Sequence, residues 1–273
     1  MITGKWSDKE VELFLEYRAD GLMLFEIAKI LNRSISSVEN KSKAIKKRKA
    51  SSKITSENVL VIFDLHAPFI KDGYLDFCKK IYSEYNCSSV VFTGDIADFH
   101  FSSYHETDAD GFSAGEELDR AIEQLKGFHD AFPNSKVCLG NHDAIIQRKM
   151  ATGALSNRWM RPLNEVLQVP TWEFREEWII NKVKYIHGLG MKIRPRVMSE
   201  MCSCVQGHYH SETEYVTFVN EKQMMFGMQG GCGVNRRAYA MAYGRHFKKP
   251  QLNCGVVMDN GTWGIIRHMK LGE

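Results

Sequence analysis

The sequence lacks any apolar run of the roughly 18 residues that span a bilayer, which excludes a transmembrane helix. Its first ten residues, MITGKWSDKE, have neither the apolar stretch nor the small-residue cleavage site of a signal peptide. Only 6 prolines occur, which argues against a disordered or collagen-like chain. The 7 cysteines are odd in number and follow no framework spacing. We therefore expect a cytoplasmic protein with reduced thiols and no membrane partner.

Charge is unevenly distributed along the 273 residues, a length that suits one large domain or two unequal ones. Residues 1–53 contain 12 basic and 7 acidic side chains, whereas the remaining 220 residues contain 24 and 26. Seven basic residues and no acid fall within 41–53. A basic module thus precedes a nearly neutral one, and the small module is the better candidate for binding a polyanion.

Apolar spacing in the N-terminal segment predicts three short helices, over residues 8–19, over 23–31, and from a cap at Ser34 onward. In the third helix Ile35, Val38 and Ile45 form an apolar face. A polar, cationic row lies at i, i+4, i+7 and i+11, and its members are Ser36, Asn40, Lys43 and Lys47. One face can pack on the domain while the other meets bases and phosphates.

This segment resembles a Myb/SANT-like helix-turn-helix through Trp6 and the run EIAKILNRSISSVENK at residues 26–41. The resemblance implies DNA binding by residues 1–48, with contacts from Ser36, Asn40, Lys41, Lys43 and Lys47. A solvated basic helix that docks a protein is the alternative. We predict a linker over residues 49–57 and a catalytic domain over 58–273.

Polar residues follow a series of short apolar runs in the second domain. The motifs are D-x-H with Asp64 and His66, G-D with Asp95, G-N-H-D with Asn141, His142 and Asp143, H-G with His187, and G-H-x-H with His208 and His210. Because strands of a sheet present ligands at their carboxyl edge, we expect these side chains to converge.

The intervening patterns predict helices over 72–85 and 114–132, and thus an α/β unit. After residue 208, strand-like runs at 215–219, 224–228, 254–258 and 263–268 predict a mostly antiparallel second sheet. The expected fold class is α/β, an αββα sandwich of two packed sheets preceded by a small all-α helical domain.

Two carboxylates, one amide oxygen and four imidazoles suit a pair of divalent ions of intermediate softness. A carboxylate can bridge two metals about 3.5–4 Å apart, and such a pair clamps a phosphoryl group. Mn²⁺ is the ion that we expect, with Fe²⁺, Zn²⁺ and Ni²⁺ as alternatives.

In this order the motifs resemble those of calcineurin-like metallophosphoesterases over residues 58–268. The resemblance implies a first metal on Asp64, His66 and His210, a second on Asn141, His187 and His208, and Asp95 bridging both. It implies that His142 protonates the leaving oxygen and that Asp143 orients this histidine. Tyr209 departs from the threonine common in the family, but it is not a ligand.

Further residues near these motifs are candidate substrate contacts, namely His100, His105, Arg148 and Arg194. For each of them a solvated loop position or a surface ion pair is the alternative. The expected function is hydrolysis of a nucleic-acid phosphodiester or terminal phosphate, targeted to DNA by the N-terminal module. Small proteins of this type with an added helix-turn-helix resemble those of bacteriophages and prophages, which implies a bacterial cytoplasm.

Two other functions stay open at this point. One is a phosphatase or phosphodiesterase for a phosphoprotein or small nucleotide, with the basic module docking a protein or localising the enzyme. The other is a DNA-binding regulator whose metal site is vestigial, against which the complete ligand set argues.

Overall fold

The computed structural model describes residues 4–51, 57–104, 108–240 and 249–270. The chain divides into two compact units, residues 1–56 and residues 57–273. In the described part of the chain, no helix is both long enough and apolar enough to cross a membrane. All seven cysteines are free thiols.

The first unit contains three helices, α1 (Asp8–Ala19), α2 (Leu24–Ile30) and α3 (Ile35–Ser51). Helix α1 begins with a capping box, in which the Ser7 hydroxyl accepts from the Glu10 amide and the Glu10 carboxylate accepts from the Ser7 amide. Glu10 also accepts from the buried guanidinium of Arg33 at 2.8 Å. A small apolar core lies between the helices and consists of Phe14, Ile27, Ala28, Leu31 and Val38.

Helix α3 is capped as predicted, because the Ser34 hydroxyl accepts from the Ser37 amide. The predicted apolar face is wrong at Ile35, which is 50% exposed while Val38 is fully buried. The predicted start of the linker at residue 49 is also wrong, because α3 continues to Ser51. The segment from 43 to 51 contains no glycine or proline and is rich in good helix formers, so nothing in it ends the helix. The side chains of Ile45 and Lys47 lie outside the described residues.

Two sheets form the second unit. Their strands are β1 (Val59–Ile62), β2 (Ser89–Phe92), β3 (Lys136–Cys138), β4 (Glu173–Arg175), β5 (Glu177–Ile180), β6 (Val183–Ile186), β7 (Ser203–Gln206), β8 (Glu214–Val219), β9 (Met224–Gln229), β10 (Asn253–Met258) and β11 (Trp263–His268). The first sheet has six strands in the order β11-β10-β1-β2-β3-β4, and the second has five in the order β5-β6-β7-β9-β8.

Helices cover the outer faces of both sheets, and they are α4 (Tyr74–Glu84), α5 (Ala114–Ala131), α6 (Ile145–Thr152), α7 (Leu163–Val166) and α8 (Ile193–Glu200). Successive residues of β1 point to opposite faces, so Leu60 and Ile62 pack with α4 and α5. Val59, Val61 and Phe63 instead pack against the second sheet. Helix α8 packs on the far side of that sheet. The fold is therefore the expected α/β sandwich with four layers.

The prediction of a mostly antiparallel second sheet is wrong. Two of its pairings are antiparallel, β5 with β6 and β8 with β9, and two are parallel, β6 with β7 and β7 with β9. Strands β10 and β11 belong to the first sheet, where β10 pairs antiparallel with β1. A half-buried strand has the same sequence pattern in either sheet. Which sheet β10 and β11 join is therefore decided by their pairing with strands far away in the sequence.

Candidate metal centre

The motif residues gather at the carboxyl ends of strands in both sheets. Asp64, Asp95 and Asn141 follow β1, β2 and β3, which are parallel neighbours in the first sheet. His187 and His208 follow β6 and β7, which are parallel neighbours in the second sheet. Parallel strands end at the same edge of a sheet, and here the corresponding edges of two packed sheets contribute to one site.

One cluster contains four residues whose donor atoms lie within 4.8 Å of one another, and these are Asp64, His66, Asp95 and His210. Nε2 of His66 lies 3.1 Å from Nε2 of His210 and 3.5 Å from Oδ2 of Asp95. Nε2 of His210 lies 3.3 Å from Oδ2 of Asp64. These donors fit the first predicted metal.

A second cluster contains Asp95, His187 and His208. Nε2 of His187 lies 3.1 Å from Nδ1 of His208, 3.3 Å from Oδ2 of Asp95 and 2.8 Å from Oδ1 of Asn141. Asp95 is a member of both clusters, which is the arrangement that a bridging carboxylate requires.

The tautomers of these histidines test whether the residues fit a cation. Nδ1 of His187 lies 3.0 Å from the Thr93 carbonyl oxygen, which can only accept a hydrogen bond. With Nδ1 protonated and engaged by this carbonyl, Nε2 is the atom that faces the oxygens of Asn141 and Asp95 and would bind a metal after releasing its own proton. Similarly, Nδ1 of His66 lies 2.6 Å from Oδ1 of Asp98. Nitrogen and oxygen atoms that converge in this way suit a positive ion that displaces the Nε2 proton of His187, and the outer hydrogen bonds fix the ring orientations.

Electrostatics at the buried site favour charge separation between the carboxylates and His187. Burial opposes ionisation of Asp95, yet neighbouring histidines hold the pKa of this carboxyl well below its usual range. Burial also opposes protonation of His187, but the nearby carboxylates outweigh it and raise the pKa of this histidine to about 10. Burial and the charge on His187 lower the pKa of His208 to about 4. The site thus holds excess negative charge that a cation can neutralise.

Backbone conformation and glycine spacing fit the strand ends to this geometry. His66, Asp95 and His208 have φ values of 50°, 48° and 71°, in the left-handed region that non-glycine residues rarely adopt. A Cβ atom at Gly140 would overlap Oδ1 of Asp95, so only glycine allows the third strand end to approach the bridging carboxylate. The positions of the ligands therefore depend on left-handed backbone conformations and on a close approach between strand ends.

His142 lies beside the first cluster and is anchored through its ring. Its Nδ1 lies 2.6 Å from the carbonyl oxygen of Asp98, which leaves Nε2 for a substrate. Burial works to lower the pKa of His142, but Asp95 and Asp98 outweigh it and the pKa rises. This is the geometry of a proton donor beside a metal pair.

The role predicted for Asp143 is wrong, since its carboxylate accepts hydrogen bonds from the backbone amides of Ile96 and Gly140. It thereby ties the loops after β2 and β3 together. Asp98 contacts His142 instead and is not among the residues predicted from the motifs. The available signal was a second carboxylate three residues after Asp95, in the same loop. Thr93 was also missed, and its hydroxyl donates to Oδ1 of Asp64 at 3.2 Å.

The candidate substrate residues have different environments. His100 is 7% exposed and packs edge-on against Phe69 and Tyr239, so the expectation that it faces substrate is wrong. Phe69, Tyr239 and Phe112 also contact one another, so the ring of His100 borders a small aromatic core. Arg194 is exposed and pairs with Glu214 at 2.5 Å. Arg148 lies over the ring of Tyr104. His105 lies outside the described residues.

In the first unit, the predicted DNA-contacting residues Ser36, Asn40 and Lys43 are exposed on α3. Lys41 is half-buried, with its ammonium 5.4 Å from the centroid of the Trp6 ring. The indole of Trp6 donates to the Ser37 hydroxyl at 3.2 Å. The side chain of Lys47 lies outside the described residues.

The fold and the two ligand clusters define a metal-dependent hydrolase of phosphoric esters. Residues 58–217 match the family described as calcineurin-like phosphoesterase, and the chain belongs to this family. No curated protein sequence matches the chain.

Three of the solved structures that are similar to this chain are described by name. Vps29 from Cryptosporidium parvum is 13% identical, with a TM-score of 0.43, and the match covers 80% of this chain and 94% of that one. Nuclease MPE from Pseudomonas putida is 12% identical, with a TM-score of 0.34 and coverage of 76% and 87%. The phosphoesterase Yfce from E. coli is 11% identical, with a TM-score of 0.31 and coverage of 73% and 87%.

The residues of the site have separate tasks in ester hydrolysis. Two divalent ions, when bound by the clusters, would supply Lewis-acid polarisation of the phosphoryl group and activation of water. Asp95 holds the two clusters together, and Asp98 orients His66. Nε2 of His142 is not engaged by Asp98 and is the candidate donor of a proton to the departing oxygen. Loss of such a donor typically costs about 10²–10⁴-fold in rate.

Proposed function

We propose that this phosphoesterase hydrolyses phosphodiester or terminal phosphate bonds of nucleic acid and is targeted to DNA by residues 1–48. The observation that carries the proposal is the exposed polar row of α3, where Ser36, Asn40 and Lys43 face solvent while Val38 is buried in the helical core. A helix with one face in its own domain and a polar, cationic face in solvent is suited to meet base edges and phosphates.

A second group of residues, in the catalytic unit, supports a nucleic-acid substrate. The ring of Tyr104 is 59% exposed, and its centroid lies 5.1 Å from the Arg148 guanidinium and 5.4 Å from the Lys149 ammonium. Arg148 and Lys149 belong to α6, which begins three residues after His142. An exposed aromatic ring with adjacent cations is suited to stack a base and bind its phosphate. The group therefore favours a nucleotide near the proton donor.

The catalytic part of the proposal is tested with the full chain and Mn²⁺, the ion that we propose for the site. Hydrolysis of bis-p-nitrophenyl phosphate is measured beside end-labelled single- and double-stranded DNA. Cleavage of both substrate types supports the proposal. Hydrolysis of the small ester with DNA untouched would favour a phosphatase or phosphodiesterase for a phosphoprotein or small nucleotide, with the basic module as a docking element.

The targeting part is tested by fluorescence anisotropy of a labelled duplex over a series of salt concentrations. The double variant Asn40→Ala/Lys43→Ala should bind the duplex more weakly. The slope of log binding constant against log salt concentration should become shallower by about 0.9 for each phosphate that the variant no longer neutralises. Lys9→Ala is the control, because Lys9 is an exposed cation on α1 outside the polar row. Equal binding by all three proteins would contradict the recognition role of α3. A bacteriophage or prophage origin and a bacterial cytoplasm stay predictions from the sequence.

A further inference from the structure

A cationic cavity lies in the catalytic unit outside the ligand clusters. Its volume is about 350 Å³, and the residues around it are Lys71, Asp72, Val234, Asn235, Arg236, Arg237, Pro250, Leu252, Met269 and Lys270. Four of these side chains are cationic and one is acidic. The volume is within the range of small-molecule sites, roughly 300–1,000 Å³.

Backbone hydrogen bonds connect segments around the cavity to residues of the first metal cluster. The Gly233 amide donates to the Asp64 carbonyl at 2.9 Å, and the Lys71 amide donates to the Gly233 carbonyl at 2.8 Å. On the other side, the Gln251 amide donates to the His210 carbonyl at 2.8 Å. Lys71 is five residues from His66, so their Cα atoms are at most about 18 Å apart. A few nucleotides of a bound strand cover that distance.

The cations of the cavity are available to a ligand. Among the described residues, Arg236, Arg237 and Lys270 have no ion-pair partner, and all three are exposed. Some other exposed cations in this unit are paired, such as Lys192 with Glu212 at 2.9 Å. Guanidinium groups bind phosphate oxygens through charge-assisted, often bidentate hydrogen bonds.

Apolar residues contribute the remaining surface of the cavity. Val234 and Met269 are buried, and Pro250 and Leu252 are half-buried. An apolar surface beside unpaired guanidinium groups matches a ligand with a flat apolar part and a phosphate, which is the chemistry of a nucleotide. A free phosphate ion would use only the cationic part.

We propose that this cavity binds a nucleotide unit of the substrate beyond the scissile phosphate, with its phosphate at Arg236, Arg237 and Lys270 and its base against the half-buried side chains of Pro250 and Leu252. The inference rests on the proposed nucleic-acid substrate. It predicts that affinity for a strand depends on residues that do not contact the reacting phosphorus.

The test uses a double variant that carries both Arg236→Gln and Arg237→Gln. A control double variant removes the same charge at the edge of the second sheet opposite to the metal ligands. The control is Lys182→Gln with Lys222→Gln, because these exposed lysines precede β6 and β9, whereas the ligands follow β6 and β7. The measured quantity is kcat/KM for a ten-nucleotide strand divided by kcat/KM for bis-p-nitrophenyl phosphate. We expect this ratio to fall at least about tenfold in the arginine variant, mainly through KM, and to stay unchanged in the control.

A binding measurement separates failure of this inference from failure of the proposed function. Calorimetry with the trinucleotide pdTpdTpdT and with dTMP is carried out on the full chain and both variants. Binding that disappears only in the arginine variant supports the cavity site even if no nucleic acid is hydrolysed. Tighter binding of the trinucleotide assigns the cavity to a strand, and equal binding of dTMP assigns it to a free nucleotide. Hydrolysis of the strand with equal kinetics and binding in all three proteins overturns the inference alone.

Discussion

The carbonyl oxygen of Asp98 accepts a hydrogen bond of 2.6 Å from Nδ1 of His142. The carboxylate of the same residue accepts one of 2.6 Å from Nδ1 of His66. One loop residue thus orients a candidate metal ligand through its side chain and the candidate proton donor through its backbone. These two functions can be separated by mutation, because a side-chain change leaves the carbonyl group in place.

Asp98→Ala should weaken metal binding by about 10–100-fold, the usual effect of removing a hydrogen-bond partner of a ligand. Asp98→Asn should weaken it less, since an amide oxygen can still accept from Nδ1 of His66. Chelator competition with metal analysis measures the difference. An equal decrease in both variants would mean that the negative charge of Asp98, rather than its hydrogen bond, supports the site.

His142→Ala should keep both metals and lose about 10²–10⁴ in rate on an ester with a poor leaving group. The loss should be smaller for p-nitrophenyl esters, because p-nitrophenolate departs with little need of a proton. Metal content and kcat on the two ester types are measured together. A variant without its metals would contradict the assignment of His142 as a proton donor.

Gly140→Ala should displace the bridging carboxylate, because the new methyl group overlaps Oδ1 of Asp95. We expect metal affinity to fall at least about tenfold. Gly115→Ala is the matched control, since a Cβ atom at Gly115 in α5 has no other group within 4 Å. Thermal melts of both variants show whether the fold persists. Unchanged metal binding in Gly140→Ala would contradict the close approach of Gly140 to the carboxylate of Asp95.

The stability of the helical unit should fall in acid through Glu10. The Arg33 guanidinium and the hydrogen bonds of the Ser7 cap lower the pKa of Glu10 from its ordinary 4.5 to about 2. The folded state therefore releases this proton more readily than the unfolded state. The contribution to stability is fully present above pH 4.5 and is lost as the pH falls through 2.

Hydrogen exchange of peptides from residues 4–43 measures this effect. At pH 6 the Glu10→Gln variant should exchange faster than the unchanged protein, and by pH 3 the difference should shrink. Comparison at equal pH removes the intrinsic pH dependence of exchange. Glu12→Gln is the control, because Glu12 is exposed on the same helix and lies outside the capping box. A difference that is constant with pH would contradict the assignment.

Local sequence patterns suffice to predict the ends of strands and hence the convergence of Asp64, Asp95 and His187. Short β-branched runs followed by polar residues specify where each strand stops. Parallel pairing then places these strand ends at the same edge of the sheet. The position of β10 within the sheets could not be predicted in this way, because β10 pairs with β1 and thereby joins Val59 to Val257, almost the whole unit apart in sequence. The burial of His100 depends on Phe69 and Tyr239, which are far from it along the chain. Local periodicity has no information about such distant partners.

Strand β1 lies between β2 and β10, so the loop that begins at Asp64 is bordered on one side by a strand near residue 255. During synthesis on the ribosome, β1 emerges almost two hundred residues before that neighbour. The first sheet reaches its final width only after β10 and β11 have left the exit tunnel. We therefore expect the loop after β1 to reach its final position only after residues 253–268 have been made, and shortening the chain before residue 253 to weaken metal binding although none of the proposed ligands is removed.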